Sequence, residues 1–175
     1  MPQAITFQGK PLTLIGDAVK IGSSAPDFEV VSSDLKPVKL SDFKGKTKVI
    51  STFPSLDTPV CDLQVKAFNK HAASLSQDVV VIGISKDLPF AQKRFCQENE
   101  IKNAKIFSDY KTGAFGINYG VLIKELNLLS RGVVILDKEN IVRYVQIVDE
   151  LTVPPDYNDA LQHLSDLAKL GRCNE

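Results

Sequence analysis

The sequence predicts an α/β fold, a central mixed β-sheet flanked by helices with an N-terminal β-hairpin, and three observations predict it. β-Branched apolar runs alternate with stretches of helical spacing over residues 48–100. A second pair of strand-like runs follows, separated by only a few polar residues. The chain then closes on an amphipathic segment.

Taken in order, AITFQGKPLTLIG alternates apolar residues around a Gly9-Lys10-Pro11 turn, with Ile5 and Phe7 before it and Leu12 and Leu14 after it. It reads as a hairpin, and Pro11 marks an exposed edge. KVISTF, residues 48–53, is a strand ended by Pro54, and from Val60 the positions Leu63, Ala67, Phe68, Ala72 and Leu75 take helical spacing. DVVVIGIS, residues 78–85, is a buried type of strand. A short helix follows over residues 87–100, with Pro89 in its first turn and Leu88, Ala91 and Phe95 on its apolar stripe. RGVVILDKENIVRYVQIV holds two strands turned at residues 138–140, and residues 154–171 form a helix with Gly171 past its end. No linker, repeat or low-complexity tract interrupts this order, so one domain over residues 1–175 is expected. Parallel βαβα followed by an antiparallel pair and a terminal helix is the element order of a thioredoxin-like fold.

Composition excludes several classes of function. The 21 basic and 21 acidic residues cancel without forming blocks, so neither a nucleic-acid footprint nor a polybasic membrane contact is expected. Apolar runs such as VVVIGI fall short of the ~20 residues that cross a bilayer. MPQAITFQGK lacks the basic region and apolar core of a signal peptide, so a reducing cytoplasm is expected. Three scattered cysteines make no disulfide framework, and neither C-x-x-C nor another close ligand spacing occurs. No metal, no cofactor and no thioredoxin-type reductase activity is expected; a Gly-rich phosphate loop is absent from the sequence. His71 and His163 read as ordinary half-buried side chains, and Cys173, near the end of the chain, is given no catalytic role.

The informative stretch is PSLDTPVCDLQ, residues 54–64. With Thr58 as N-cap, Pro59 falls at N1 and Cys61 at N3, facing unpaired backbone donors. A capping box carries Glu or Gln at N3, and a thiolate can accept there in its place. A free cysteine titrates near ~8.5, and lowering that by ~2–3 units takes roughly 3–4 kcal/mol. A helix terminus supplies only ~0.3–1 kcal/mol, so a cation has to supply the rest. On spacing alone, a plain packed cysteine at a helix start is an equal alternative.

The spacing P-x-x-x-T-x-x-C of Pro54, Thr58 and Cys61 resembles the active-site motif of peroxiredoxins, and TPVC resembles that of the thiol peroxidase class. The resemblance extends to Arg131 in LLSRGVVILD and to VDELTVPPDY at residues 148–157, a segment for which the sequence offers no physical role. It implies that Cys61 is the peroxidatic cysteine, attacking a peroxide oxygen to give sulfenic acid, while Thr58 and Arg131 place the peroxide and Pro54 shields the sulfur. It implies that Cys96, in RFCQENE, is the resolving cysteine of an atypical two-cysteine enzyme, closing a redox disulfide with Cys61. The implied partners are hydrogen peroxide and organic hydroperoxides as substrates, thioredoxin as reductant, and a second copy in a homodimer, with Phe115 and Tyr119 suggested for that contact. Read without the resemblance, Cys96 beside Phe95 is a core residue and Arg131 an exposed strand-end arginine. A thiol-switch protein that oxidises once, or a thioredoxin-like interaction domain with structural thiols, would use the same residues without turnover.

Overall fold

A computed structural model describes residues 4–173, with side chains through residue 169, so the Cys173 thiol lies outside the described residues. Among the described residues eleven strands form two sheets, and four α-helices run between and after them. The larger sheet contains β3 (Glu29–Val31), β4 (Pro37–Lys39), β5 (Thr47–Thr52), β6 (Val79–Ser85), β7 (Ala104–Ser108), β10 (Gly132–Leu136) and β11 (Val142–Ile147). Their order is β11-β10-β5-β6-β7-β3-β4. The β5-β6-β7 centre is parallel, and the pairs outside it are antiparallel, so the sheet is mixed as the element order predicted.

Alternation along the central strands divides the core in two. Ile50, Ile82, Ile84, Phe107 and Val134 face one layer with Phe28, Phe43, Phe115 and Tyr119. Val49, Val81, Ile106, Val133 and Ile135 face the other, covered by α1 (Pro59–Ala72) and α4 (Tyr157–Cys173), with Phe95 and Cys96 of α2 (Pro89–Glu98) packed against its margin. Among the described residues no helix is long and apolar enough to cross a membrane.

The hairpin is present as β1 (Ala4–Phe7) and β2 (Lys10–Ile15), but its turn is Gln8-Gly9, both at positive φ, rather than Gly-Lys-Pro. Two residues of that backbone hand match the strand twist, so Lys10 and Pro11 belong to β2. Thr6 lies opposite Pro11, which has no N–H to give. The backbone groups of Thr6 turn the other way, donating to the Asp149 carbonyl at 2.7 Å and accepting from the Leu151 N–H at 2.9 Å. The smaller sheet is completed by β8 (Leu122–Ile123) and β9 (Leu128–Leu129).

Several elements depart from the sequence reading. In α1, Leu63 is 63% exposed and Gln64 fully buried, because polar groups at the end of β5 require a polar partner from the helix. In α2 the inner face is Pro89 and Gln92 rather than Leu88, which is exposed. Helix α4 runs through Gly171 to Cys173 instead of stopping before it. Strands β3, β4, β7, β8 and β9 are short or of mixed pattern, and none was legible in the sequence.

Phe115, in α3 (Ala114–Asn118), and Tyr119 just after it are almost fully buried. They stack at 4.4 Å between ring centroids and meet the Phe28 edge at 5.2 and 5.8 Å, so they form core and cannot line a dimer contact. Phe115→Ala is expected to cost about 3–5 kcal/mol of unfolding free energy, read as a lower denaturant midpoint.

Candidate active site

Cys61 stands in the first turn of α1, where the crossover from β5 reaches the carboxyl edge of the parallel strands. Thr58 is the N-cap: its hydroxyl accepts from the Cys61 N–H at 3.3 Å and donates to the Ser55 carbonyl at 3.1 Å. Pro59 occupies N1, and Pro54 is buried in the loop between strand and helix. That loop is tied down by Asp87, whose carboxylate accepts from the Ser55 hydroxyl and the Leu56 N–H at 3.0 Å each. Asp87 also accepts from the Ser85 hydroxyl at 2.6 Å. The carboxylate thus joins the approach to α1 to the approach to α2.

Arg131 reaches the same place from the opposite direction of the chain. It precedes β10, which runs antiparallel to β5 with Gly132 opposite Thr52, so the start of β10 lies beside the end of β5. On its other side Gly132 lets β11 lie close, since a Cβ there would come within 2.5 Å of the Gln146 carbonyl. The Arg131 side chain is 2% exposed, not the exposed strand-end residue that its position alone suggested. Its NH1 donates to Cys61 Sγ at 3.2 Å and to Gln64 Oε1 at 3.0 Å. Its Nε and NH2 donate to the Leu151 carbonyl at 3.0 and 2.8 Å.

The acceptors are held in turn by their own partners. Gln64 Nε2 donates to the Ser51 hydroxyl at 2.6 Å and the Thr52 carbonyl at 2.9 Å, which fixes Oε1 toward the guanidinium. Leu151 is buried with Ile5, Leu12 and Leu14 of the hairpin. Residues 148–157, silent in sequence terms, therefore supply the carbonyl that aims Arg131. Glu150 and Thr152 flank that carbonyl, and Tyr157 places a buried hydroxyl without a hydrogen-bond partner in the layer that holds Cys61. Burial raises the Tyr157 phenol above its ordinary range, with the Arg131 charge opposing.

The structure brings Cys61, Thr58 and Arg131 together, with Pro54 in the same loop, and does not bring Cys96 to them. Cys61 and Cys96 are free thiols, the first 0% exposed and the second half-buried. Burial pushes the Cys96 thiol up. Gln64, Asp87, Tyr157 and the Leu151 carbonyl were missed in the sequence. Only Gln64 carried a signal there, as a polar residue one turn from Cys61 on the inward side of α1. No group of His, Cys, Asp and Glu able to hold a metal ion occurs among the described residues.

Glu150 makes the support of this site sensitive to pH. Its carboxylate accepts from the Thr152 hydroxyl and N–H, the Gly9 N–H and the Thr6 hydroxyl, which hold it down to about 2. A depressed carboxylate contributes stability above its ordinary value of 4.5 and loses it as pH falls through the folded value. Amide protection at Gly9 and Thr152 is therefore expected to fall as pH drops from about 4.5 to about 2 in hydrogen exchange. Glu150→Gln should show the weaker protection already at neutral pH.

Comparison with known proteins agrees with this arrangement. The redoxin family model matches residues 20–161. The chain is 48% identical over 159 residues to the thiol peroxidase of Halalkalibacterium halodurans, covering 91% of this chain and 95% of that protein. It is 47% identical over 165 residues to the thiol peroxidase of Bacillus subtilis, covering 94% and 98%. The crystal structure of a peroxiredoxin-like protein from Aquifex aeolicus superposes with a TM-score of 0.89 at 40% identity, covering 95% and 98% of the two chains. The chain belongs to the redoxin family and, within its peroxiredoxins, to the thiol peroxidases.

Proposed function

We propose that this thiol peroxidase reduces hydrogen peroxide and organic hydroperoxides through Cys61, with Cys96 resolving the oxidised sulfur and thioredoxin restoring the dithiol. One observation carries the reading: Arg131 is buried, no carboxylate pairs with it among the described residues, and the sulfur of Cys61 lies 3.2 Å from its NH1. A buried charge without a partner is expensive, and the thiolate of Cys61 is the counter-ion that the site offers.

In this reading the thiolate attacks one peroxide oxygen, the O–O bond breaks, and the leaving oxygen departs as water or alcohol after taking a proton. Arg131 stabilises the charge that moves from sulfur to the leaving oxygen. Thr58 holds the first turn, so that sulfur points at the guanidinium, and Pro54 keeps bulk water from it. Because Cys61 is fully buried, the oxidant enters only when the 55–58 turn opens, and Asp87 is the tie that must yield. The chemistry belongs to sulfur and the fixed donors around it, so the reading uses no cofactor.

The sulfenic acid then condenses with Cys96, releasing water and forming the Cys61–Cys96 disulfide. Cys96 lies seven residues into α2, about 10 Å along its axis from the first residue, whereas Cys61 stands in the opening turn of α1. A disulfide needs Cα atoms about 4.4–6.8 Å apart, so the end of α2 and the start of α1 unwind to close it. Unwinding also exposes Cys96 and removes the burial that pushes its thiol up. We place the enzyme as one domain over residues 1–175 in a reducing cytoplasm, as a homodimer without nucleic-acid or membrane partners. Exposed Leu63, Leu88 and Phe90, on the two cysteine helices, are better suited to the dimer contact than Phe115 and Tyr119.

Cys61→Ser should abolish peroxide consumption in an assay coupled to thioredoxin, its reductase and NADPH; activity equal to wild type would refute the assignment. Cys96→Ser should retain the first oxidation and accumulate sulfinic acid at Cys61, seen by mass spectrometry. Arg131→Met removes a charge-assisted hydrogen bond of about 1.5–3 kcal/mol and should slow the first oxidation by about 10- to 100-fold in stopped flow.

A further inference from the structure

Helix α2 carries Cys96, yet little in the helix supports itself. It has ten residues, and its N-cap Leu88 makes no side-chain hydrogen bond. No acidic side chain in its first turn and no basic one in its last complements the helix dipole. Helices shorter than about 12–15 residues are marginal in water, so α2 depends on what it is tied to. Its apolar hold is thin: Phe90 is exposed, Ala91, Phe95 and Cys96 are half-buried, and the buried residues are Pro89 and Gln92. Gln92 supplies the tie. Its Nε2 donates to the Phe107 carbonyl of β7 at 2.8 Å and to the Ser85 hydroxyl of β6 at 3.1 Å. A carbonyl can only accept, which fixes the amide this way round and leaves Oε1 buried without a partner among the described residues. The tie therefore carries the cost of a bare acceptor, which is relieved once the helix leaves the sheet and the amide meets water.

Ser85 passes the tie on. Its hydroxyl has one proton, given to Asp87 Oδ2 at 2.6 Å, while its oxygen accepts from Gln92. The Asp87 carboxylate also receives the Ser55 hydroxyl on Oδ1 and the Leu56 N–H on Oδ2, at 3.0 Å each, from the turn that leads into α1. The Asp87 carbonyl is held in turn by the Ser108 hydroxyl. A continuous chain of hydrogen bonds thus runs through Gln92, Ser85, Asp87 and Ser55, from the inner face of α2 to the turn before Cys61. Such bonds strengthen one another, because a hydroxyl that donates to a carboxylate is a better acceptor.

We propose that Gln92 and Asp87 are positioning residues for the resolving step: the chain between them couples the folding of α2 to the closure of the 55–58 turn, so that oxygen on Cys61 loosens Cys96. The inference rests on the reading above that Cys96 resolves the sulfenic acid. Cys61 is fully buried, so a turn that opened to admit peroxide cannot close over a sulfur that has gained an oxygen without overpacking. With the turn held open, Asp87 exchanges the Ser55 and Leu56 donors for water. Its hold on Ser85 slackens, and Gln92 keeps one of its two acceptors. A ten-residue helix without a side-chain N-cap unwinds readily from that state, and Cys96 is released toward the sulfenic acid. While Cys61 is reduced the turn closes and α2 keeps its thiol half-buried. The coupling also biases a competition, since a second peroxide needs the closed turn with Arg131 at the sulfur, whereas Cys96 needs it open.

Coupling is reciprocal, so each variant is read on the segment it does not touch. In the reduced protein, Ser55→Ala should speed hydrogen exchange of the α2 amides from Phe95 to Glu98, and alkylation of Cys96 by iodoacetamide, by about three- to tenfold. Gln92→Ala should speed exchange at Leu56 and Cys61 by a similar factor, and Asp87→Asn should do both. Exchange in β5 should stay at the wild-type rate; a rise there marks general loosening and counts against the coupling. Effects confined to the substituted segment overturn the inference. In Ser55→Ala/Gln92→Ala the gains in Cys96 alkylation should be less than multiplicative, because either break opens the same chain, and fully multiplicative gains show two independent ties. If Gln92→Ala does not fold, Ser55→Ala read at α2 decides alone. The hydrogen peroxide concentration that turns half of Cys61 to sulfinic acid should rise about threefold in Ser55→Ala and in Asp87→Asn, by mass spectrometry, and an unchanged or lower value sinks the proposal. If wild-type protein forms no Cys61–Cys96 disulfide, the resolving role of Cys96 fails, and the exchange measurements alone decide the coupling.

Discussion

A guanidinium that is 2% exposed must find acceptors for its N–H groups inside the protein, and Arg131 finds three of them on two separate segments. Gln64 comes from α1, the Leu151 carbonyl from the stretch before α4, and sulfur from the first turn of α1. Of these three acceptors, only the sulfur can become an anion. The energetic weight of the site rests on this inequality. Burying the cation is costly, and in the proposed reaction a thiolate at Cys61 is the group that offsets that cost.

The rest of the fold holds the cation in place. Antiparallel pairing of β10 with β5 brings the start of one strand to the end of the other, and so the arginine to the cysteine. The N-terminal hairpin, peripheral in the chain order, packs Ile5, Leu12 and Leu14 on Leu151, while Glu150 binds Thr6 and Gly9. The carbonyl that receives Nε and NH2 is thus clamped from the far end of the sequence. The second layer of core, with Phe115 and Tyr119 stacked beneath the sheet and Phe28 edge-on to both, gives β5 and β6 a rigid back from which the loops project.

Asp87 links the two thiol segments mechanically. It binds the loop before α1 from a position just before α2, so strain on one approach is felt by the other. Cys96 itself stands on the wall of a groove between α2 and β7.

Much of this was legible in the sequence because it depends on near neighbours. The β-branched runs of β5, β6 and β10, the switch to helical spacing after Pro54, and the order Thr58, Pro59, Cys61 at a helix start are local patterns with local causes. So is the hairpin, although its turn slipped to Gln8-Gly9, since two-residue turns are chosen by backbone hand rather than by proline. Short strands such as β3 and β8 were not legible, because two or three residues hold too little periodicity to read. The burial of Gln64 and the exposure of Leu63 went against hydrophobicity, and only the polar end of β5 explains them. By itself the sequence determined the hairpin, the longer strands β5, β6, β10 and β11, the helices α1, α2 and α4, and the thiol at the head of α1. The tertiary structure decided that Arg131 is buried against that thiol, that Leu151 aims it, and that Cys96 faces a groove. Those contacts join residues 70, 20 and more positions apart, and chain spacing carries no trace of a distance that only the pairing of strands creates.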